Sequence, residues 1–335
     1  MYRLDFDKGI SGADGKIRYR RDFEDFFKAA FFDEIKAKLT ALHTDMQAKP
    51  ELHYREFEKV VKIILNNLER LLLATPYFLN RVAKIWKALI VSWESKPDIE
   101  PHIKEFKEDL SKAFGYAKFR KSELNRLALM LNVKTCLYCN QQYTIAFGAS
   151  PDRPVEGLML KNVTAFLQFD HFFDKSIHPL FSMSLYNLVP SCGVCNQKKS
   201  AKGYDLSVHP YVRGLSEVIF FRIKDNSALT DPRAYDTMEI EIDTGTDIQA
   251  KKLIDDLRLE QRYGRHREIV MQLECAKYME RYYSDLEAEL TAGMGIAGDP
   301  VRRKELRRYL RGFREESEMN DEPLTKFRRD ISTLL

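Results

Sequence analysis

C-L-Y-C (Cys136 to Cys139), L-Q-F-D-H-F-F-D-K-S (Leu167 to Ser176) and Y-N-L-V-P-S-C-G-V-C-N-Q-K-K-S (Tyr186 to Ser200) decide how this chain is read. Two C-x-x-C pairs about fifty residues apart supply what a tetrahedral Cys₄ zinc site needs, because each tight turn offers two thiolates and the intervening segment brings the turns together. Zinc held by Cys136, Cys139, Cys192 and Cys195 would be structural. Such turns alone fit any zinc ribbon, including pure binding modules, so the chemistry has to be sought between them.

Val163 to Phe169 is rich in β-branched and aromatic residues and is expected to form a strand that delivers Asp170 and His171 at its end. Neighbours on a strand point to opposite faces, so a distorted strand end is needed if both are to act at one place. Asn187 precedes Leu188 and Val189, which suit a second strand ending at Pro190. Helical residues begin near Cys192, with Asn196 in the first turn.

That order, Asp-His after a strand, an Asn before the second cysteine pair and an Asn directly after its last Cys, resembles the HNH (ββα-metal) endonucleases. The resemblance implies that Asp170 ligates a divalent metal, that His171 deprotonates the attacking water, and that Asn187 pins the loop orienting the His. It also places Asn196 as the second metal ligand. A carboxylate and an amide oxygen are hard donors suited to Mg²⁺ or Mn²⁺, whereas the thiolates favour zinc. The wider likeness is to stand-alone HNH proteins of bacterial phage defence, the Septu-type nuclease subunit and retron-associated effectors. It rests on D-H-F-x-x-K-S, N-L-V-P-S-C-x-x-C-N-x-x-K and P-L-x-K-x-x-x-D-I (Pro323 to Ile331). Those relatives work beside an ABC- or SMC-like ATPase, and this chain has no G-x-x-x-x-G-K-[ST] loop of its own. The resemblance therefore implies a metal-dependent nuclease, with DNA favoured as substrate. The competing reading is a non-catalytic, zinc-stapled subunit that docks on nucleic acid or within a larger complex.

Around this centre the chain is expected to be α+β and mostly helical. Residues 1–130 read as a helical region without a chemical motif, 131–212 as a ββα-metal core stapled by zinc, and 213–335 as an antiparallel β-hairpin followed by helices. In the first region Phe23, Phe26, Phe27, Ala30 and Phe31 recur at helical spacing. A second helix is expected from Phe57 to Leu73, and Thr75-Pro76 reads as the cap and first residue of a third, which carries Ile85, Trp86, Ile90 and Trp93. Period-two runs at Val218 to Ile223 and Met238 to Asp243 predict the hairpin, and Ile269, Leu273, Ala276, Met279, Tyr283, Leu286 and Leu290 predict one long helix packed on the domain.

Charge is informative through its placement. A net charge of +4 over 335 residues neither requires nor excludes nucleic acid. Lys175, Lys198, Lys199 and Lys202 flank the motif and read as phosphate contacts. Val301 to Arg314 holds seven basic residues against one Glu, so Arg303, Arg307 and Arg311 form either a solvated face or a backbone contact. Four of the five cysteines belong to the zinc pairs and Cys275 is left over, a usage expected of a reducing cytoplasm; no apolar run has the length of a membrane span.

Overall fold

The structure is a computed structural model, and it describes residues 3–13, 15–120, 122–148, 163–224, 237–294 and 321–334. The fold is α+β and mostly helical, with short antiparallel strand pairs. The chain divides into two compact units, Arg3–Lys134 with Thr144–Gly214, and Thr135–Tyr143 with Leu215–Leu335. The boundary expected near residue 130 thus falls inside the first unit, in which the helical region and the Asp-His segment share one body.

The first unit opens with the strand pair β1 (Ile10–Ser11) and β2 (Ile17–Arg18). Helix α1 (Arg20–Gln47) follows because Phe23, Phe27, Phe31, Ile35 and Leu39 return every four residues and bury one stripe. Asp22 accepts the Tyr19 backbone N–H at 2.7 Å and satisfies a donor that the helix start leaves open. The helix expected over residues 57–73 is instead two, α2 (Leu52–Asn66) and α3 (Leu68–Leu72), separated at Asn67, whose φ of −120° leaves the helical region. Its side-chain amide bonds back to the Ile63 carbonyl at 2.9 Å, the kind of local competition that ends a helix. Helix α4 (Pro76–Glu94) starts as read, with the Thr75 hydroxyl accepting the Phe78 N–H and Pro76 in the first turn. Trp86 and Trp93 are buried on one face, while Ile85 is 63% exposed on the other. Helix α5 (Ile103–Phe114) ends at Gly115, whose φ of +68° redirects the chain into the single turn α6 (Tyr116–Phe119); α7 (Glu123–Leu131) follows.

The strand expected over residues 163–169 is broken at Phe166-Leu167. Its first part, β4 (Thr164–Ala165), pairs with β3 (Ala146–Phe147), and the second, β5 (Gln168–His171), pairs with β6 (Leu188–Ser191). Helix α8 (Gly193–Lys199) starts at Cys192. Long-range bonds tie these short elements to the helices: Trp86 Nε1 donates to the Ile177 carbonyl at 2.8 Å, Ser184 Oγ to that of Leu71 at 2.8 Å, and the Tyr116 hydroxyl to that of Phe169 at 3.0 Å.

In the second unit β7 (Phe220–Ile223) and β8 (Ile240–Asp243) form the expected antiparallel hairpin, with Phe221, Ile223, Ile240 and Ile242 inward. The connection at 225–236 lies outside the described residues. Helices α9 (Ile248–Leu257), α10 (Leu259–Tyr263), α11 (Arg267–Met294) and α12 (Thr325–Leu334) complete it. The P-L-x-K-x-x-x-D-I segment has a packing role: Lys326 pairs with Asp330 at 2.7 Å, and Asp330 accepts the Phe221 N–H at 2.9 Å, fastening α12 to the hairpin. Only the start of α11 is buried as its periodicity predicts: Ile269, Leu273 and Ala276 are covered, whereas Met279, Tyr283 and Leu286 are exposed. The burial of Leu290 lies outside what is described, and among the described residues no helix is long and apolar enough to cross a membrane.

Candidate functional site

The pairing of β5 with β6 sets Asp170 opposite Val189 and His171 opposite Leu188. Strand alternation would send the two side chains apart. Both nonetheless line one cavity of about 180 Å³, together with Asn196 from α8 and Gln168, whose amides are joined at 2.5 Å. Lys199 explains how the strand end is held. Its ammonium is fully buried, pairs with Asp170 at 3.1 Å, and donates to the carbonyls of His171 at 2.9 Å and Phe172 at 3.3 Å. The residue expected on a phosphate-binding surface is therefore interior, because α8 buries the i, i+4 pair Cys195 and Lys199 on one face.

His171 has a defined tautomer. Its Nε2 lies 3.0 Å from the Ser182 carbonyl, which can only accept, so Nε2 carries the proton and Nδ1 keeps its lone pair. Nδ1 has no protein partner among the described residues. Burial lowers the imidazole pKa to about 3, and the Ser182 carbonyl only partly opposes this, so the ring is neutral at pH 7. The Tyr116 ring meets it edge-on, centroids 4.4 Å apart, and fixes its plane.

Asn187 is buried and spans the loop that follows His171. Its Oδ1 accepts the Phe173 N–H at 2.7 Å, and its Nδ2 donates to the carbonyls of Phe173 at 3.1 Å and Phe181 at 2.9 Å. Three bonds from one side chain close residues 173–181 into a fixed arc, and Ser182, which orients His171, is the next residue. His178 packs inside this arc on Phe181 with its pKa lowered to about 4 by burial, a neutral turn residue. Beyond the core, His209 packs on Phe172 and the Tyr211 hydroxyl donates to the Leu188 carbonyl at 2.9 Å.

Lys175 lines the cavity with its ammonium 4.6 Å above the Tyr116 ring, and Lys198 and Lys202 are exposed on α8 and its exit. Arg303, Arg307 and Arg311 lie outside the described residues. Sequence reading missed Tyr116, Arg120 and Asp174, which also line the cavity. Asp174 accepts the amide and the hydroxyl of Ser176, and D-K-S was a legible signal for such a turn. Tyr116 and Arg120 stand some fifty residues upstream, and nothing local marks them.

The four cysteines Cys136, Cys139, Cys192 and Cys195 are buried, and their sulfurs lie within 4.8 Å of one another. Zn–S bonds of about 2.3 Å in a tetrahedron separate sulfurs by about 3.8 Å, so the cluster fits a zinc ion. In both turns a backbone amide points at a thiolate, Gln141 N–H at Cys139 Sγ and Cys195 N–H at Cys192 Sγ, each 3.4 Å.

The buried ion pair yields a stability prediction. Lys199→Met leaves the Asp170 carboxylate uncompensated in the interior, and urea denaturation is expected to show a loss of about 3–5 kcal/mol. Adding Asp170→Asn should restore part of that loss, since no buried charge is then left unpaired. A Lys199→Met protein as stable as the unmodified chain would show that solvent reaches Asp170 freely. Compared with protein-family models, with curated proteins and with solved structures, the chain matches none.

Proposed function

We propose that the chain is a metal-dependent endonuclease of the HNH type, hydrolysing the phosphodiester bonds of nucleic acid, DNA in the first instance, to leave 5′-phosphate and 3′-hydroxyl ends. The observation that carries this reading is the convergence of Asp170, a singly protonated His171 with Nδ1 unengaged, and Asn196 on one cavity. Asn187 supports it by fixing the loop behind the histidine.

His171 acts on water. Its Nδ1 takes the proton as the oxygen approaches phosphorus, while the Nε2–H bond to Ser182 keeps the ring from rotating. The negative charge of a bound phosphodiester opposes the lowering of the His171 pKa and moves it towards the range in which imidazole is an effective base. Asp170 and Asn196 are the residues that would hold Mg²⁺ or Mn²⁺, an ion that stabilises charge on the phosphate and on the leaving oxygen. The donor set fits such an ion: both offer hard oxygens, the cavity has room for about six waters, and a carboxylate has lone pairs beyond those that face Lys199. Lys175 in the cavity wall and the exposed Lys198 and Lys202 would meet backbone phosphates.

The test is incubation of the purified protein with plasmid, single-stranded DNA, RNA and tRNA, with and without added Mg²⁺ or Mn²⁺. Cleavage that appears only with the divalent ion, in protein that keeps its zinc, is the expected result. Failure to cut any of the four under either ion would sink the reading. Lys199 on Asp170 favours the second reading, a non-catalytic docking subunit in which an ammonium stands where an ion would bind. That reading expects nucleic-acid binding without cleavage. The likeness to phage-defence nucleases extends the proposal to an antiviral effector working beside a separately encoded ATPase.

A further inference from the structure

Arg120 is an exposed guanidinium at the end of α6, and it lines the cavity that holds Asp170 and His171. Its backbone N–H closes the α6 turn on the Tyr116 carbonyl at 2.9 Å, while its guanidinium makes no hydrogen bond or ion pair among the described residues. It stands four residues past Tyr116, on the same helical face. Tyr116 is itself immobilised: its hydroxyl is tied to the Phe169 carbonyl at 3.0 Å, its edge meets His171, and its ring carries the Lys175 ammonium. The left-handed Gly115 aims this turn at the cavity, and a side chain there would run against Phe119 at 3.3 Å as well as the unfavourable φ.

Of the carboxylates of the cavity wall, Asp170 is paired with Lys199, whereas Asp174 is held in its turn by Ser176 and keeps its charge, one anion against the two remaining cations. Arg120 and Lys175 present two positive charges to one opening. Partial burial lowers the Lys175 pKa; Asp174 opposes this and Arg120 adds to it. An arrangement that sets cations side by side is relieved by an anion with several acceptor oxygens, and a guanidinium suits the paired oxygens of phosphate.

We propose that Arg120, with Lys175, grips a backbone phosphate next to the one that His171 attacks, so that the helical region before β3 contributes directly to the nucleic-acid site. The choice of ligand rests on the nuclease reading. Arg120 is a binding residue here and takes no part in the proton transfer.

The experiment compares the unmodified chain with Arg120→Ala and Arg120→Lys, by anisotropy of 5′-fluorescein-labelled single-stranded DNA, its duplex and an RNA of the same sequence, in Ca²⁺ across a salt series. Arg120→Ala is expected to weaken binding by about tenfold and to reduce the slope of log affinity against log salt by about one. The cost should fall alike on all sequences of the preferred probe, with KM raised more than kcat is lowered. Arg120→Lys should recover part of the affinity. The melting temperature should not move, since the Arg120 guanidinium has no bonding partner among the described residues. Equal affinity and equal slope in Arg120→Ala overturn the proposal, and if the unmodified chain still cleaves, the nuclease reading stands without it. A reduced slope in a protein that cleaves nothing supports the phosphate contact and sinks the nuclease reading. An unmodified chain that binds none of the three probes overturns both.

Discussion

Cys139→Ser is expected to strip the chain of its zinc and to leave it open to proteases under conditions in which the unmodified protein resists them. The four sulfurs are buried within 4.8 Å of one another, a spacing at which one zinc ion would bind all four as thiolates. A structural zinc contributes on the order of 10 kcal/mol to folding, which is the scale of a whole domain's stability. The turn is also built into its surroundings. Asn140, at a φ of +50°, donates to Thr135 Oγ1 at 2.9 Å and accepts the Lys326 N–H at 3.2 Å, and the Tyr263 hydroxyl donates to the Cys139 carbonyl at 2.5 Å. Loss of the ion should therefore loosen α10 and α12 along with the cysteine turn. Elemental analysis should give one zinc per unmodified chain and none for the variant, and limited proteolysis should report the loosening. Cys275→Ser, at an exposed cysteine outside the cluster, is the control and should change neither. A Cys139→Ser protein that keeps its fold and its protease resistance would remove the structural role.

What could be read from the sequence was local chemistry at fixed spacing. The C-x-x-C turns announce a metal cluster because thiolate spacing is a property of the turn itself. The Thr75-Pro76 start of α4 and the period-two hairpin were legible for the same reason. Lys199 was not read correctly, because K-K-S after a motif looks like a solvated or phosphate-facing run. The signal was nevertheless present: Cys195 must point inward to reach a shared ion, and four residues on, Lys199 must share its face. The break between β4 and β5 at Phe166 was hidden because strand formers, Val163 and Thr164 before it and Phe169 after it, stand on both sides. Tyr116 and Arg120 could not have been found, since the Tyr116 contact with His171 and the place of Arg120 in the same cavity wall arise only when α6 packs against β5. The boundary placed near 130 lies within one compact unit, where Trp86, Ser184 and Tyr116 bond across it.

Under the nuclease reading, Asp170 and His171 should fail in different ways when replaced. His171→Ala removes Nδ1, the nitrogen with a lone pair available to water, and leaves Asp170 and Asn196 in place. Its cleavage rate should fall by about 10²–10⁴-fold with nucleic-acid binding kept, and raising Mn²⁺ should not restore it, because no metal donor was lost. Asp170→Asn keeps the volume but removes the charge that pairs with Lys199 and would attract the ion. It leaves Lys199 an unpaired buried charge and so also lowers stability, but in the protein that stays folded the defect should be in metal affinity, with activity at low Mn²⁺ lost and partly regained as Mn²⁺ is raised. The isosteric variant is preferable to alanine here, since alanine would leave the buried Lys199 facing an empty space as well as no carboxylate. Single-turnover rates across a Mn²⁺ titration separate the two defects. Rescue of His171→Ala by excess ion, with Asp170→Asn unresponsive, would reverse the assignments, and normal cleavage by both would place the chemistry outside this cavity.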